Sequence, residues 1–175
     1  MIFRKLGLIH KNQIGLTMIE LLLAMTISGI VTGAITMTMF QVINGSARTN
    51  NHMTTVRQVQ SGGYWVSRDA NMAQNVATDN LTGSQILELS WTEWDGTVNT
   101  VVYSLEDMAS GGLKNLQRSH SIDGNSFVAQ YINPATTSCN FTDGVLIFTV
   151  TATVGSGSQE ENETRVYRIV PRPGL

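Results

Sequence analysis

Residues 15–43 read GLTMIELLLAMTISGIVTGAITMTMFQVI, and their reading decides how the rest of the chain is organised. Of residues 16–43 only Glu20 is charged. An α-helix rises about 1.5 Å per residue, so this apolar run is long enough to cross a bilayer as a helix. A short leader precedes it and carries Arg4, Lys5 and Lys11.

Positive charge followed by an apolar run is also how a secretory signal begins. This run is longer than an ordinary signal core, and no A-x-A site follows it. Small and polar residues, among them Thr26, Ser28, Gly29, Thr32 and Gly33, are scattered through it. The plain reading is an uncleaved signal anchor with its positive end in the cytoplasm.

Glu20 asks for more than that. A carboxylate inside a membrane segment costs roughly 2.5–3.5 kcal/mol on insertion scales. It lies five residues after Gly15, just inside the apolar boundary. The string KNQIG, ending at Gly15, followed by LTMIELL, resembles the type IV prepilin family, including the pseudopilins of type II secretion. The resemblance implies that a membrane prepilin peptidase cuts after Gly15 on the cytoplasmic side. Leu16 would then be the new, N-methylated terminus, a position where Phe or Met is more usual. Glu20 would help the subunit dock into a growing filament by neutralising a neighbour's terminal amine. Implied partners are the prepilin peptidase, other pilin or pseudopilin subunits, and the assembly platform in the cytoplasmic membrane. Glycine leaves a protease cleft free access to the backbone. The carboxylate and the ammonium are each costly in lipid and less so when paired. Glu20 is also about one turn from its own N-terminus, so a pair within one subunit is the competing arrangement.

Gly29 and Gly33 spell G-x-x-x-G, a small-residue face on which membrane helices approach closely, or a place where the helix loosens inside a filament. No proline precedes Pro134, so any kink in the helix must come from glycine.

After Ile43 the composition changes. Val56, Val59, Gly63, Val66, Ala70, Ala73 and Ala77 fall on one face of an amphipathic helix. The helix is therefore expected to continue to about Val76, with Asn44-Gly45-Ser46 as a candidate break. Gly62-Gly63 weakens it by about 1 kcal/mol per glycine. Beyond Asp79 the pattern turns to period two. Leu87, Leu89 and Trp91 alternate with polar residues, then Val101, Tyr103 and Leu105, and then Leu146, Phe148, Val150 and Ala152. Turn signals at Asp95-Gly96, Asp123-Gly124 and Asp143-Gly144 separate them. A loop holding Pro134 and Cys139, a second loop GSGSQEENE, and a last strand from about Arg165 to Val170 complete the reading. Expected segments are 1–15 leader, 16–43 membrane and filament-core helix, 44–78 amphipathic helix, and 79–175 extracytoplasmic domain. The fold class is α+β, with one long helix packed on an antiparallel sheet. Such a pilin-like arrangement is what the resemblance implies. YWVSRDANMAQNV and RVYRIVPR further resemble the J-type minor pseudopilins and related minor pilins.

Other signals stay below chemistry. Net charge is −2, which makes nucleic acid a poor partner. His10, His52 and His120 are scattered, so no metal site and no cofactor is expected. Ser119 and His120 point to opposite faces of a strand, so no nucleophile pair is expected and the chain is not read as an enzyme. Asp123-Gly124-Asn125 reads as a turn rather than a calcium loop. Glu160, Glu161 and Glu163 read as a solvated loop. Trp91 and Trp94 cannot both be core, and the outer one is a candidate contact for a neighbouring subunit. A membrane-anchored extracytoplasmic binding or sensor domain with its leader retained is the alternative function.

Overall fold

The structure is a computed structural model and describes residues 15–79, 81–109 and 111–172. The chain divides into two compact units at Ile43/Asn44. Helix α1 (Met18–Met72) contains the end of the first unit and the start of the second, and runs through Asn44-Gly45-Ser46 without interruption.

In the first unit every described residue is exposed. The helix begins at Met18 because Thr17 caps it. The Thr17 carbonyl accepts from the Glu20 and Leu21 amides, each at 3.1 Å, and its hydroxyl lies 3.4 Å from the Glu20 amide. The hydroxyls of Thr26, Thr36 and Thr38 donate to the carbonyls of Leu23, Thr32 and Ala34 at 2.8–2.9 Å. These threonines therefore carry their polar groups through an apolar stretch without leaving a donor unpaired.

In the second unit the helix packs on an eight-stranded antiparallel sheet. The strands are β1 (Asn75–Ala77), β2 (Gln85–Thr92), β3 (Val98–Asp107), β4 (Lys114–His120), β5 (Gly124–Ile132), β6 (Ser138–Thr142), β7 (Val145–Val154) and β8 (Glu161–Ile169). β1 to β5 pair in sequence order. β7 then pairs with β8 along its full length and shares its other edge between β6 and a single β5 register pair, Ile132↔Ala152. Tyr131, with φ at 59°, breaks the extended run of β5 just before that junction. The meander expected from the turn signals therefore holds through β5 and is replaced beyond it. The Asp143-Gly144 turn has positive φ at both residues, 53° and 76°, as a two-residue type I′ hairpin requires.

The inward residues of the expected strands are the core. Leu87, Leu89, Val101, Tyr103, Leu146, Phe148, Val150 and Ala152 are fully buried. The helical stripe is displaced from expectation. Val59, Gly63, Val66, Ala70 and Ala73 are buried as the spacing predicts, but Thr55, Gly62 and Asp69 join them, while Val56 is only half-buried and Ala77 is exposed. The helix ends at Met72 rather than near Val76. The Gln74 amide leaves it to bond the Ser90 carbonyl at 2.9 Å, and Asn75–Ala77 then pair with Glu88–Ser90. Two further corrections concern segments read as loops. Ser138–Thr142 forms β6, and β8 starts at Glu161 rather than near Arg165. Of the expected solvated run Glu160–Glu163, only Glu160 lies outside the strand. Glu161 pairs with Arg48, and Glu163 sits in register with Ala152.

The glycine pair in α1 has a packing reason. A Cβ on Gly63 would fall inside the ring of Tyr167, and one on Gly62 would lie 3.3 Å from Leu116 Cδ2. The Tyr167 hydroxyl donates to the helix carbonyl of Val59 at 3.1 Å, and its ring stacks on Phe148. The two glycines weaken the helix but bring its backbone against β8, β4 and β5.

Candidate functional site

The residues singled out at the start of the apolar run share one short stretch. Gly15 is exposed, and a Cβ there would meet nothing within 4 Å. Leu16 is exposed. Thr17 closes the helix end, and Glu20 is the third residue of the helix. T-M-I-E has the spacing of a capping box, in which an N-cap hydroxyl and an acidic residue three positions later satisfy each other's amides. Only the hydroxyl half is formed. Among the described residues no hydrogen bond or ion pair engages the Glu20 carboxylate. A negative charge in the first turn is favoured by the positive end of the helix dipole. The capping role is legible in the spacing of Thr17 and Glu20, three residues apart at the start of the apolar run.

Glu20 lies with Leu16, Leu21, Ala24, Met25 and Ser28 along a shallow depression of the helix surface. Its large apolar neighbours, from Met18 through Ile43, are exposed, and α1 is the one described helix long and apolar enough to cross a membrane. A Cβ on Gly29 or Gly33 would meet nothing within 4 Å, so neither glycine makes a close approach within the described chain. The leader, including His10, lies outside the described residues.

A second cluster holds α1 to the sheet. Asp69 has no exposed surface. Its Oδ2 accepts from the Tyr103 hydroxyl and from Arg118 Nε, both at 2.6 Å, and its Oδ1 accepts from Arg118 Nη2 at 3.1 Å. The hydrogen bond to Asp69 raises the Arg118 pKa. Burial first, and the Asp69 charge second, push the Tyr103 phenol well above its ordinary value. The guanidinium carbons of Arg68 and Arg118 lie 5.1 and 5.2 Å from the centre of the Trp65 ring. Asp69 lies within YWVSRDANMAQNV, but nothing in the sequence marks Arg118, in a polar strand, as its partner.

The other singled-out residues have the following surroundings. Ser119 donates to Asn125 Oδ1 at 2.6 Å, and His120 Nδ1 accepts from the Asp123 amide at 3.1 Å, so these two side chains do not serve one another. Among the described residues no group of three or more His, Cys, Asp or Glu is placed to hold a metal ion. Residues 155–158 lead into a single 3-10 turn, Gly157–Gln159, and Asn51 Nδ2 on the helix donates to the Gln159 carbonyl at 2.8 Å. Cys139 is half-buried on β6, and burial pushes its thiol up to about 12. Trp91 is buried and Trp94 is 96% exposed.

Comparison with the curated proteins and with the solved structures gave no match. Residues 10–36 match the family described as the prokaryotic N-terminal methylation motif, which covers Gly15, Leu16, Glu20, Gly29 and Gly33. The chain therefore carries, at its N-terminus, the methylation motif typical of type IV prepilin-like proteins.

Proposed function

We propose that this chain is a minor pilin or pseudopilin subunit. It is made as a prepilin and inserted in the cytoplasmic membrane with its leader inside. Prepilin peptidase cuts it after Gly15, and Leu16 is methylated. It then joins a type II secretion pseudopilus or a type IV pilus, as a low-copy subunit near the tip, with its β-rich domain outside the cytoplasm. Chemistry is done on the chain, and it performs none itself.

The observation that carries this reading is the match over residues 10–36 with Glu20 inside it. Glu20 is the single charge of the apolar run, stands in the first helical turn, and has no partner among the described residues. A carboxylate kept at that depth needs a counter-charge, and the terminal ammonium of an adjacent processed subunit supplies one. The resemblance of the late helix and last strand to J-type minor pseudopilins supports the minor-subunit assignment.

Glu20→Ala tests the reading. Cleavage after Gly15 is expected to persist while incorporation into filaments falls at least about tenfold. That corresponds to about 1.4 kcal/mol, within the range of one lost charge pairing. Incorporation at the wild-type level would overturn the role given to Glu20.

A further inference from the structure

We propose that the cleft at the C-terminal end of α1 binds a neutral saccharide. The cleft has a volume of about 690 Å³, and its walls come from the last residues of α1, from β1, and from the β2–β3 turn, with Arg172 at its edge. That volume lies within the usual range of about 300–1,000 Å³ for small-molecule sites.

Its lining is of an unusual kind. The aromatic part is Trp94, whose ring is almost wholly in water, beside the buried Trp91. An indole left in solvent with no hydrogen bond among the described residues offers a flat apolar face and a free donor. The rest is mostly planar and polar: the amides of Asn71, Gln74 and Asn75, the Glu93 carboxylate and the Arg172 guanidinium. Two of these groups are held in place. Glu93 Oε1 accepts from Trp91 Nε1 at 3.0 Å, and Gln74 Oε1 accepts from the Thr92 amide at 3.0 Å. Trp91 is itself stacked on His120, with ring centres 6.0 Å apart. Glu93 Oε2 and Gln74 Nε2 thereby remain as an oriented acceptor and an oriented donor without partners among the described residues.

A pyranose ring matches this lining. Its C–H face covers an indole, and its hydroxyl rim, donor and acceptor at each position, meets amides and a carboxylate. An apolar ligand would leave those polar groups unpaired at about 1–3 kcal/mol each. An anion would meet the Glu93 carboxylate in a lining whose one cation is Arg172. A protein partner fits less well, because interface centres are depleted of charged side chains.

The test uses the full chain, solubilised in a detergent with no sugar head group. It is titrated with maltotriose, cellotriose and N-acetylchitotriose while tryptophan emission is followed. At least one of the three is expected to give a saturable blue shift. Trp94→Ala also removes the fluorescent reporter, so wild type and variant are compared by titration calorimetry, where the variant should bind the same sugar at least about tenfold more weakly, with the unfolding midpoint unchanged because the side chain is exposed. Absence of a saturable shift with all three sugars would overturn the proposal, as would a calorimetric affinity that is unchanged in Trp94→Ala. If no sugar binds and Trp94→Ala instead strips the chain from filaments, the cleft is a subunit contact and the proposal falls. The inference does not rest on the pilin reading, and Glu20→Ala leaves it untouched.

Discussion

Asp69 and Arg118 meet in a two-pronged ion pair inside the domain, with Nε to Oδ2 at 2.6 Å and Nη2 to Oδ1 at 3.1 Å. Asp69 stands in the last turn of α1, where the negative end of the helix dipole opposes a carboxylate. Arg118 offsets both that and the burial. Removing one partner of such a pair costs about 3–5 kcal/mol, because the other is left buried and unpaired. Asp69→Ala is therefore expected to lower unfolding stability by that amount, read by denaturant titration of the detergent-solubilised chain. The paired change Asp69→Leu with Arg118→Met should cost clearly less. A loss below about 1 kcal/mol in Asp69→Ala would mean the pair is not desolvated.

Gly63 is the point where the Tyr167 ring rests on the helix. In an exposed helix Gly→Ala stabilises by nearly 1 kcal/mol, but here the new methyl overlaps a ring packed on Phe148. Gly63→Ala is expected to destabilise by about 1–3 kcal/mol, the usual range for overpacking. In a Tyr167→Ala background the same change should be neutral or stabilising. A double-mutant cycle with no coupling between the two sites would contradict this contact.

Cys139 and Tyr103 both have raised pKa values in the fold, from ordinary values of 9.0 and 10.0, with burial the main cause. The folded chain therefore keeps these protons where the unfolded chain loses them. Stability should be level with respect to both groups below about pH 9 and fall as pH rises from there toward 12. Cys139→Ala should make the decline begin later. The native thiol should label far more slowly than the unfolded one at pH 8, measured with a thiol-reactive dye, and equal rates would contradict its burial.

How much was legible follows from which signals are local. The apolar run, Glu20 and the Gly15 boundary are contiguous, so the N-terminal site could be read directly. The strands with strict alternation, such as β7, were equally plain. β6 is hard to read because its alternating apolar residues are only two, Cys139 and Phe141, in a short and mostly exposed segment, and its strand pairing comes from β7 alone. β1 was missed because Ala73, Val76 and Ala77 continue a helical spacing that the Gln74–Ser90 bond interrupts. The Asp69–Arg118 pair spans distant elements, and nothing in a polar strand marks one arginine as buried.

Two roles compete for Glu20, since it completes the spacing of a helix cap and carries a charge. Glu20→Gln separates them, because an amide keeps the capping geometry and removes the charge. Filament incorporation is expected to fall in Glu20→Gln as far as in Glu20→Ala. Thr17→Ala, which loses the cap hydroxyl at about 1 kcal/mol, should assemble nearly normally. Full incorporation of Glu20→Gln would assign the residue to capping alone.

The central claim is that residues 1–15 are a removable leader and Leu16 is the mature terminus. Mass spectrometry of the N-terminal peptide, from protein made in a host with an active prepilin peptidase, tests it most directly. The expected peptide begins at Leu16 with the sequence LTMIE and carries one added methyl group on its amine. A peptide that begins at Met1 or Ile2, with Gly15 and Leu16 still joined, would contradict the account.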